Sequence, residues 1–137
     1  MSKSNSFRIV MMILLAAMIV ISMPFIIEKT KLNNMHFEDR SVISAKVIIY
    51  STDAYGSNIL GVKELENIDG INERLICLGT RDIRLFYHET SSVVLQLDFD
   101  DETSMYCFIT EDDMLGLDYG HLWIKWDGVS DLADDIL

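Results

Sequence analysis

The chain has 137 residues, half of them hydrophobic, and its 22 acidic residues outnumber the 11 Lys and Arg residues, so its formal net charge is −11 at pH 7. All the acidic residues follow residue 27, where only nine basic ones oppose them, and this part of the chain therefore carries −13. Such a charge argues against nucleic acid and anionic lipid head groups as its partners, because both would repel it. The 110 residues after residue 27 suffice for one compact domain and are too few for two.

The first predicted element is residues 9–27, IVMMILLAAMIVISMPFII, which are 19 residues without a charged side chain. As an α-helix rising ~1.5 Å per residue, this stretch would be roughly 28 Å long, close to the ~30 Å hydrocarbon core of a bilayer. A buried helix of a soluble protein normally carries a polar stripe, and only Ser22 could contribute to one. The sequence therefore predicts a single transmembrane anchor over residues 9–27, after a basic flank at residues 1–8.

A cleaved signal peptide is the alternative for the same stretch. Val20 and Ser22 are small enough to precede a cleavage site, and the mature chain would then begin near Met23. However, no A-x-A box follows the apolar run, and Pro24 would stand just past the cut. A signal peptide needs only about 7–15 apolar residues, so the anchor explains the length of the run better.

The charges beside the apolar run leave its orientation ambiguous. Lys3 and Arg8 lie on the N-terminal side, whereas Lys29, Lys31 and Arg40 follow on the other. The Lys/Arg bias that sets topology therefore favours neither orientation. A short basic region directly before an apolar stretch is nevertheless typical of an export signal, which predicts a cytoplasmic N-terminus and a domain outside the cytoplasm.

The next residues, 28–41, mix charged and asparagine side chains without periodicity, which predicts a tether to a domain at residues 42–137. Val42–Tyr50 alternates apolar and polar side chains and is the first predicted strand. Turn-forming residues follow at 51–58.

Residues 59–78 give conflicting signals. Four apolar residues fit one face of a helix: Leu65, Ile68, Ile71 and Leu75. Asp69 and Gly70, however, form a dipeptide typical of a hairpin turn. We predict a short helix at residues 62–67 and a strand at residues 73–78.

The rest of the chain alternates regularly enough to predict further strands, at residues 83–88, 93–99, 105–110 and 121–126. Residues 100–103 join two of them as an acidic hairpin loop, and residues 111–120 form a loop or one helical turn. A short terminal helix is predicted from the spacing of Val129, Leu132, Ala133 and Ile136. The prediction is an α+β domain, with a mainly antiparallel sheet of about five strands and one or two short helices, behind an N-terminal transmembrane helix.

The acidic loop resembles a calcium-binding loop only in part. Asp98, Asp100 and Glu102 occupy positions 1, 3 and 5 of an EF-hand count, but Thr103 replaces the required glycine and Ile109 the final glutamate. A looser divalent-ion site stays open as an alternative, and its ligands would be Asp98, Asp100, Asp101 and Asp112 or Asp113. A solvated hairpin tip, whose charges oppose aggregation, is the favoured interpretation.

No catalytic or cofactor-binding motif is present. His36, His88 and His121 are scattered, and the chain has no nucleophile or phosphate-loop pattern. Cys77 and Cys107 lie in apolar contexts typical of buried free thiols, so we favour these over a disulfide. The sequence predicts no enzyme, no cofactor and no metal.

A contact patch for a protein partner is the one site that the sequence proposes, at Tyr119, His121, Trp123 and Trp126. The two indoles are three residues apart on a predicted strand, so they point to opposite faces and one should meet solvent or a partner. Core packing of one ring, with partial cover of the other by the terminal helix, is the favoured interpretation of the pair. The resulting prediction is a single-pass membrane-anchored acidic domain that binds another protein as an accessory subunit, sensor or inhibitor. The alternatives are a secreted protein after cleavage and a divalent-ion-dependent module.

Overall fold

A computed structural model describes residues 3–51, 58–134 and 136. It begins with a helix of 32 residues, α1 (Lys3–Asn34), which contains the whole predicted span. By length and composition α1 can cross a membrane, properties that it shares with signal sequences near an N-terminus.

Helix α1 does not end with the apolar run. It continues through residues 28–34, where Lys31 pairs with Glu28 at 2.8 Å, and Leu32 is buried in the domain's hydrophobic core. Met35 and Phe37, which follow the helix, are buried in the same core. The structure therefore differs from the aperiodic tether predicted for residues 28–41. Only three apolar side chains make this packing, too few to produce a periodic pattern.

A single antiparallel sheet of six strands forms the centre of the described domain. The strands are β1 (Val42–Tyr50), β2 (Ile59–Glu64), β3 (Val93–Phe99), β4 (Ser104–Ile109), β5 (Met114–Gly116) and β6 (Leu122–Lys125). Their order across the sheet is β2-β1-β3-β4-β5-β6, so β2 and β6 are the two edges. The predicted α+β class with a mainly antiparallel sheet is confirmed.

One face of the sheet carries the core. Val47, Leu95 and Cys107 are fully buried on adjacent strands, in register with one another. Helix α2 (Ile68–Ile76) packs against this face through Ile71 and Leu75. The strands β1, β3 and β4 were predicted because each alternates between this core face and the opposite face.

The helix predicted at residues 62–67 and the strand predicted at 73–78 are wrong. Residues up to Glu64 belong to β2, and α2 covers most of the second range. The helix begins after Asn67, whose side-chain Oδ1 accepts a hydrogen bond from the Gly70 N–H at 3.0 Å. Gly70 therefore lies in the first helical turn, and the apparent hairpin signal is a capped helix start.

The strand predicted at residues 83–88 is also wrong. Only Ile83 forms a bridge, to Ile124 of β6, and the chain then leaves the sheet as a loop. Phe86 has a positive φ of 61°, which a continuing strand cannot accommodate.

Residues 111–120 contain β5, where a loop or helical turn was predicted. Leu117–Gly120 then forms a tight turn with left-handed φ at Asp118 and Tyr119. After β6 a 3₁₀ helix covers Val129–Ala133. Of the turn predicted at residues 51–58, positions 52–57 lie outside the described residues; the Ser51 N–H donates to the Asn58 carbonyl at 2.7 Å.

Candidate interaction surface

The four predicted contact residues do not form one surface. Tyr119 is exposed on the turn before β6 and stacks on Tyr106, with 5.4 Å between the ring centroids. His121 is exposed in the same turn, and its carbonyl accepts a hydrogen bond from Lys31 Nζ at 3.3 Å. Strand β6 separates this pair from Trp126, which follows the strand's other end.

The structure buries Trp123, so its side chain cannot contact a partner in the folded domain. Its ring meets Tyr87 edge-on at 4.9 Å between centroids. The indole N–H has no hydrogen-bond partner among the described residues, so the ring contributes through packing. Trp126 is half-buried, and the Arg74 guanidinium lies 5.6 Å from its ring centroid. The sequence could not show that Trp123 is buried and Trp126 half-buried, because this depends on where β6 ends.

The acidic hairpin uses its carboxylates within the protein. Asp98 accepts hydrogen bonds from Ser104 Oγ at 2.6 Å, Gln96 Nε2 at 2.9 Å and Ser44 Oγ at 2.8 Å. The bonds from Ser104 and Gln96, joined by that from Ser44, hold the pKa of Asp98 below its usual value although partial burial opposes this. This carboxylate therefore links β1, β3 and β4.

Asp100 and Asp113, two other residues of the proposed ion site, are engaged in the same way. Asp100 accepts from the Ser41 N–H at 3.1 Å, and Asp113 accepts from the hydroxyl and N–H of Ser130 at 2.6 and 3.0 Å. The hydroxyl bond from Ser130 lowers the pKa of Asp113. Within the described ranges, no three His, Cys, Asp or Glu side chains are grouped so that they could hold a metal ion.

The two cysteines are free thiols in different environments. Cys107 is buried in β4, and burial raises the pKa of its thiol to about 12. Cys77, by contrast, is exposed at the C-terminus of α2, so its prediction as a buried thiol is wrong. The prediction rested on the apolar neighbours of Cys77 in the sequence, but the position of Cys77 at the end of α2 leaves its side chain exposed.

Thiol labelling should separate the two cysteines. In the folded full-length protein in detergent, we expect a maleimide to modify Cys77 within minutes and to leave Cys107 unmodified until denaturant is added, because only an exposed thiolate reacts. Mass spectrometry of the labelled peptides measures this, and Cys77→Ser should abolish the fast reaction. Equal labelling rates for both thiols, or a thiol that appears only after reduction, would contradict the assignment.

The free edge of the sheet is at β2. The β6 edge is partly covered, since Ile83 bridges to it, whereas β2 pairs only with β1 in the described sheet. Three apolar residues of β2 are half or more exposed: Ile59 at 58%, Leu60 at 55% and Val62 at 50%. We call β2 with these side chains the edge surface. An exposed apolar edge strand presents unpaired backbone groups to any extended chain.

A cleft adjoins the edge surface at its C-terminal end. It has a volume of about 880 Å³ and lies between Lys63 of β2, Arg74 of α2 and Trp126. Arg74 donates to Asp82 Oδ1 at 3.1 Å and to the Lys125 carbonyl at 3.0 Å, which fixes the wall of the cleft. Burial works against ionisation of Asp82, but the Gly79 N–H and Arg74 outweigh it and lower its pKa. The cleft thus extends from the edge surface to Trp126, one of the four predicted contact residues.

Comparisons of the chain with family models, curated proteins and solved structures found no match. The edge surface was not predicted from the sequence either. Residues 62–64, half of β2, were predicted to belong to a helix. The β-branched residues Ile59 and Val62 were the only local indication of a strand.

Proposed function

We propose that this protein is a single-pass membrane-anchored domain that binds another protein without catalysing a reaction, as an accessory subunit, sensor or inhibitor would. Residues 9–27 are the anchor, and the acidic domain lies outside the cytoplasm. The observation that carries the proposal is the edge surface. β2 carries charged side chains only at its end, Lys63 and Glu64, and the exposed apolar residues before them favour a partner that covers this part of the edge.

The partner's contribution is an extended segment that adds a seventh strand beside β2. Backbone hydrogen bonds to β2 would provide much of the affinity, and apolar side chains of the segment would pack against Ile59, Leu60 and Val62. The end of the segment would reach the cleft, where Trp126 offers a half-buried aromatic ring. This arrangement needs no catalytic group and no bound ion.

A photo-crosslinker at position 60 of the full-length protein in its native membrane tests this proposal. We expect adducts with one extended peptide of a partner, identified by mass spectrometry. In the same chain, Val62→Lys should lower the adduct yield by about tenfold, because a charge on the edge opposes strand addition.

The matched control is Ile76→Lys, since Ile76 is 53% exposed but lies on α2. It should leave the adduct yield unchanged, and both variants should keep the unfolding midpoint of the original protein. Equal yields in the two variants would contradict the proposal. If the only adducts join two copies of this chain, the protein self-associates through the edge surface and the partner is a second copy.

A further inference from the structure

Phe86 is the most exposed large hydrophobic residue among those that the structure describes, at 91%. It lies in the loop after Ile83 with a left-handed φ of 61°, a backbone conformation that a phenylalanine rarely adopts. Neither the exposure of the Phe86 ring nor its left-handed backbone conformation stabilises the isolated domain. A role outside the domain would account for both.

The residues around Phe86 hold the loop in place. The Arg84 N–H donates to the Trp123 carbonyl at 2.9 Å, and the Tyr87 ring packs on the Trp123 ring. The Tyr87 hydroxyl donates to Glu89 and lies 3.4 Å from Thr110 Oγ1. Phe86 therefore projects from a loop whose neighbours are fixed to the sheet.

Phe86 also lies beside the end of the apolar part of α1. A shallow cavity of about 220 Å³ is lined by Phe86, Pro24, Glu28 and His121. Pro24 is three residues before the end of the apolar run at residue 27, which at ~1.5 Å per residue is roughly 4.5 Å along the helix. The loop thus reaches the level at which the hydrocarbon core of a bilayer would give way to head groups.

We propose that the loop of residues 84–88 is a membrane-contacting loop, and that the Phe86 side chain enters the head-group region of the bilayer crossed by α1. The inference rests on the proposed anchoring of α1. Membrane-surface segments bury Phe, Trp and Leu side chains at the boundary between head groups and acyl chains. Arg84 is exposed in the same loop and is a suitable neighbour for lipid phosphates. The contact is made by one aromatic ring, so the net negative charge of the domain does not prevent it.

The contact fixes which side of the domain faces the lipid. It lies on the β6 side, because Arg84 and Tyr87 both contact Trp123. β2 is at the opposite edge, five strand spacings or roughly 24 Å away. The edge surface is then turned away from the lipid that Phe86 contacts.

The test uses the full-length chain in phosphatidylcholine vesicles. In a Cys77→Ser background, Phe86→Cys carries an environment-sensitive fluorophore, and Leu60→Cys on β2 carries the same label as the matched control. Lipids with a nitroxide near the head group quench nearby fluorophores. We expect at least about threefold stronger quenching, and a blue-shifted emission, at position 86 than at position 60.

Carbonate washing of the same vesicles separates the two ways in which the proposal can fail. If the protein stays with the vesicles and both positions are quenched equally, the loop contact is overturned and the anchor stands. If the protein is released uncut, the anchoring of α1 is overturned together with the contact that depends on it. Strong quenching at position 86 alone, with retention, supports the inference.

Discussion

Replacing Phe37 with alanine should lower the free energy of unfolding of the domain by about 3–5 kcal/mol. The Phe37 ring is buried and stacks on Phe99, with 6.2 Å between the centroids. The Arg40 guanidinium lies 3.9 Å from the Phe99 ring centroid, which completes this packing. Truncation would remove the stacked ring and leave a cavity. Urea titration in detergent micelles measures the loss, since both tryptophans, Trp123 and Trp126, belong to the domain.

The matched control for this prediction is Phe86→Ala. Phe86 is almost fully exposed, so its truncation should change the free energy of unfolding by less than about 0.5 kcal/mol in detergent. If Phe37→Ala proved equally mild, residues 35–40 would not belong to the core, and the tether predicted from the sequence would be correct after all.

A large effect at Phe37 would bear on function as well as stability. Leu32, Met35 and Phe37 connect the end of α1 to the hydrophobic core. The domain would then be held against α1 by packing, and, with α1 as the proposed anchor, these contacts would set the orientation of the domain relative to the membrane. Such a connection keeps both the edge surface and Phe86 at defined positions.

Replacing Gly116 with alanine should lower the free energy of unfolding by about 2–3 kcal/mol. A Cβ at this position would lie 2.9 Å from the Gly120 Cα and 2.9 Å from two atoms of the Trp123 ring. Gly116 has an ordinary φ of −92°, so the cost would come from these close contacts alone. Because one of them is a backbone atom, the turn after β5 would have to shift. The same urea titration measures this effect.

Gly79→Ala is the control for the Gly116 prediction. A Cβ on Gly79 would have no atom within 4 Å, and its φ of −144° is extended backbone that alanine adopts readily. We expect a change of less than about 0.5 kcal/mol. Similar values for the two variants would mean that the Trp123 ring does not pack against β5 as described.

Regular alternation identified four of the six strands of the described sheet, β1, β3, β4 and β6, to within one residue at each end. β3 and β4 each place every second side chain in the core, and a bulge between Val42 and Ser44 interrupts the same alternation at the start of β1. The pattern was misread where local signals conflict. Asp69-Gly70 indicates a turn in isolation, but the Asn67 cap places it in a helix. The alternation after Ile83 does not form a strand, because the chain leaves β6 and Phe86 takes a left-handed conformation.

The candidate sites were harder to predict than the strands. The aromatic residues near β6 were identified, but the structure divides them between the interior, a turn and the cleft. The edge surface was missed because a strand's exposure depends on the order of the strands in the sheet. No property of Ile59 or Val62 alone indicates that β2 is an edge strand of the described sheet.

The sequence by itself determined the apolar helix at the N-terminus, the net negative charge of the residues after it and the antiparallel character of the sheet that they form. Each of these follows from composition or from a period of two residues, which are local properties of a chain. Only the tertiary structure decided that Leu32, Met35 and Phe37 join the core, that β2 is left at a free edge and that Phe86 lies beside the end of the apolar run. These features depend on contacts between residues far apart in sequence, and such contacts leave no periodic signal.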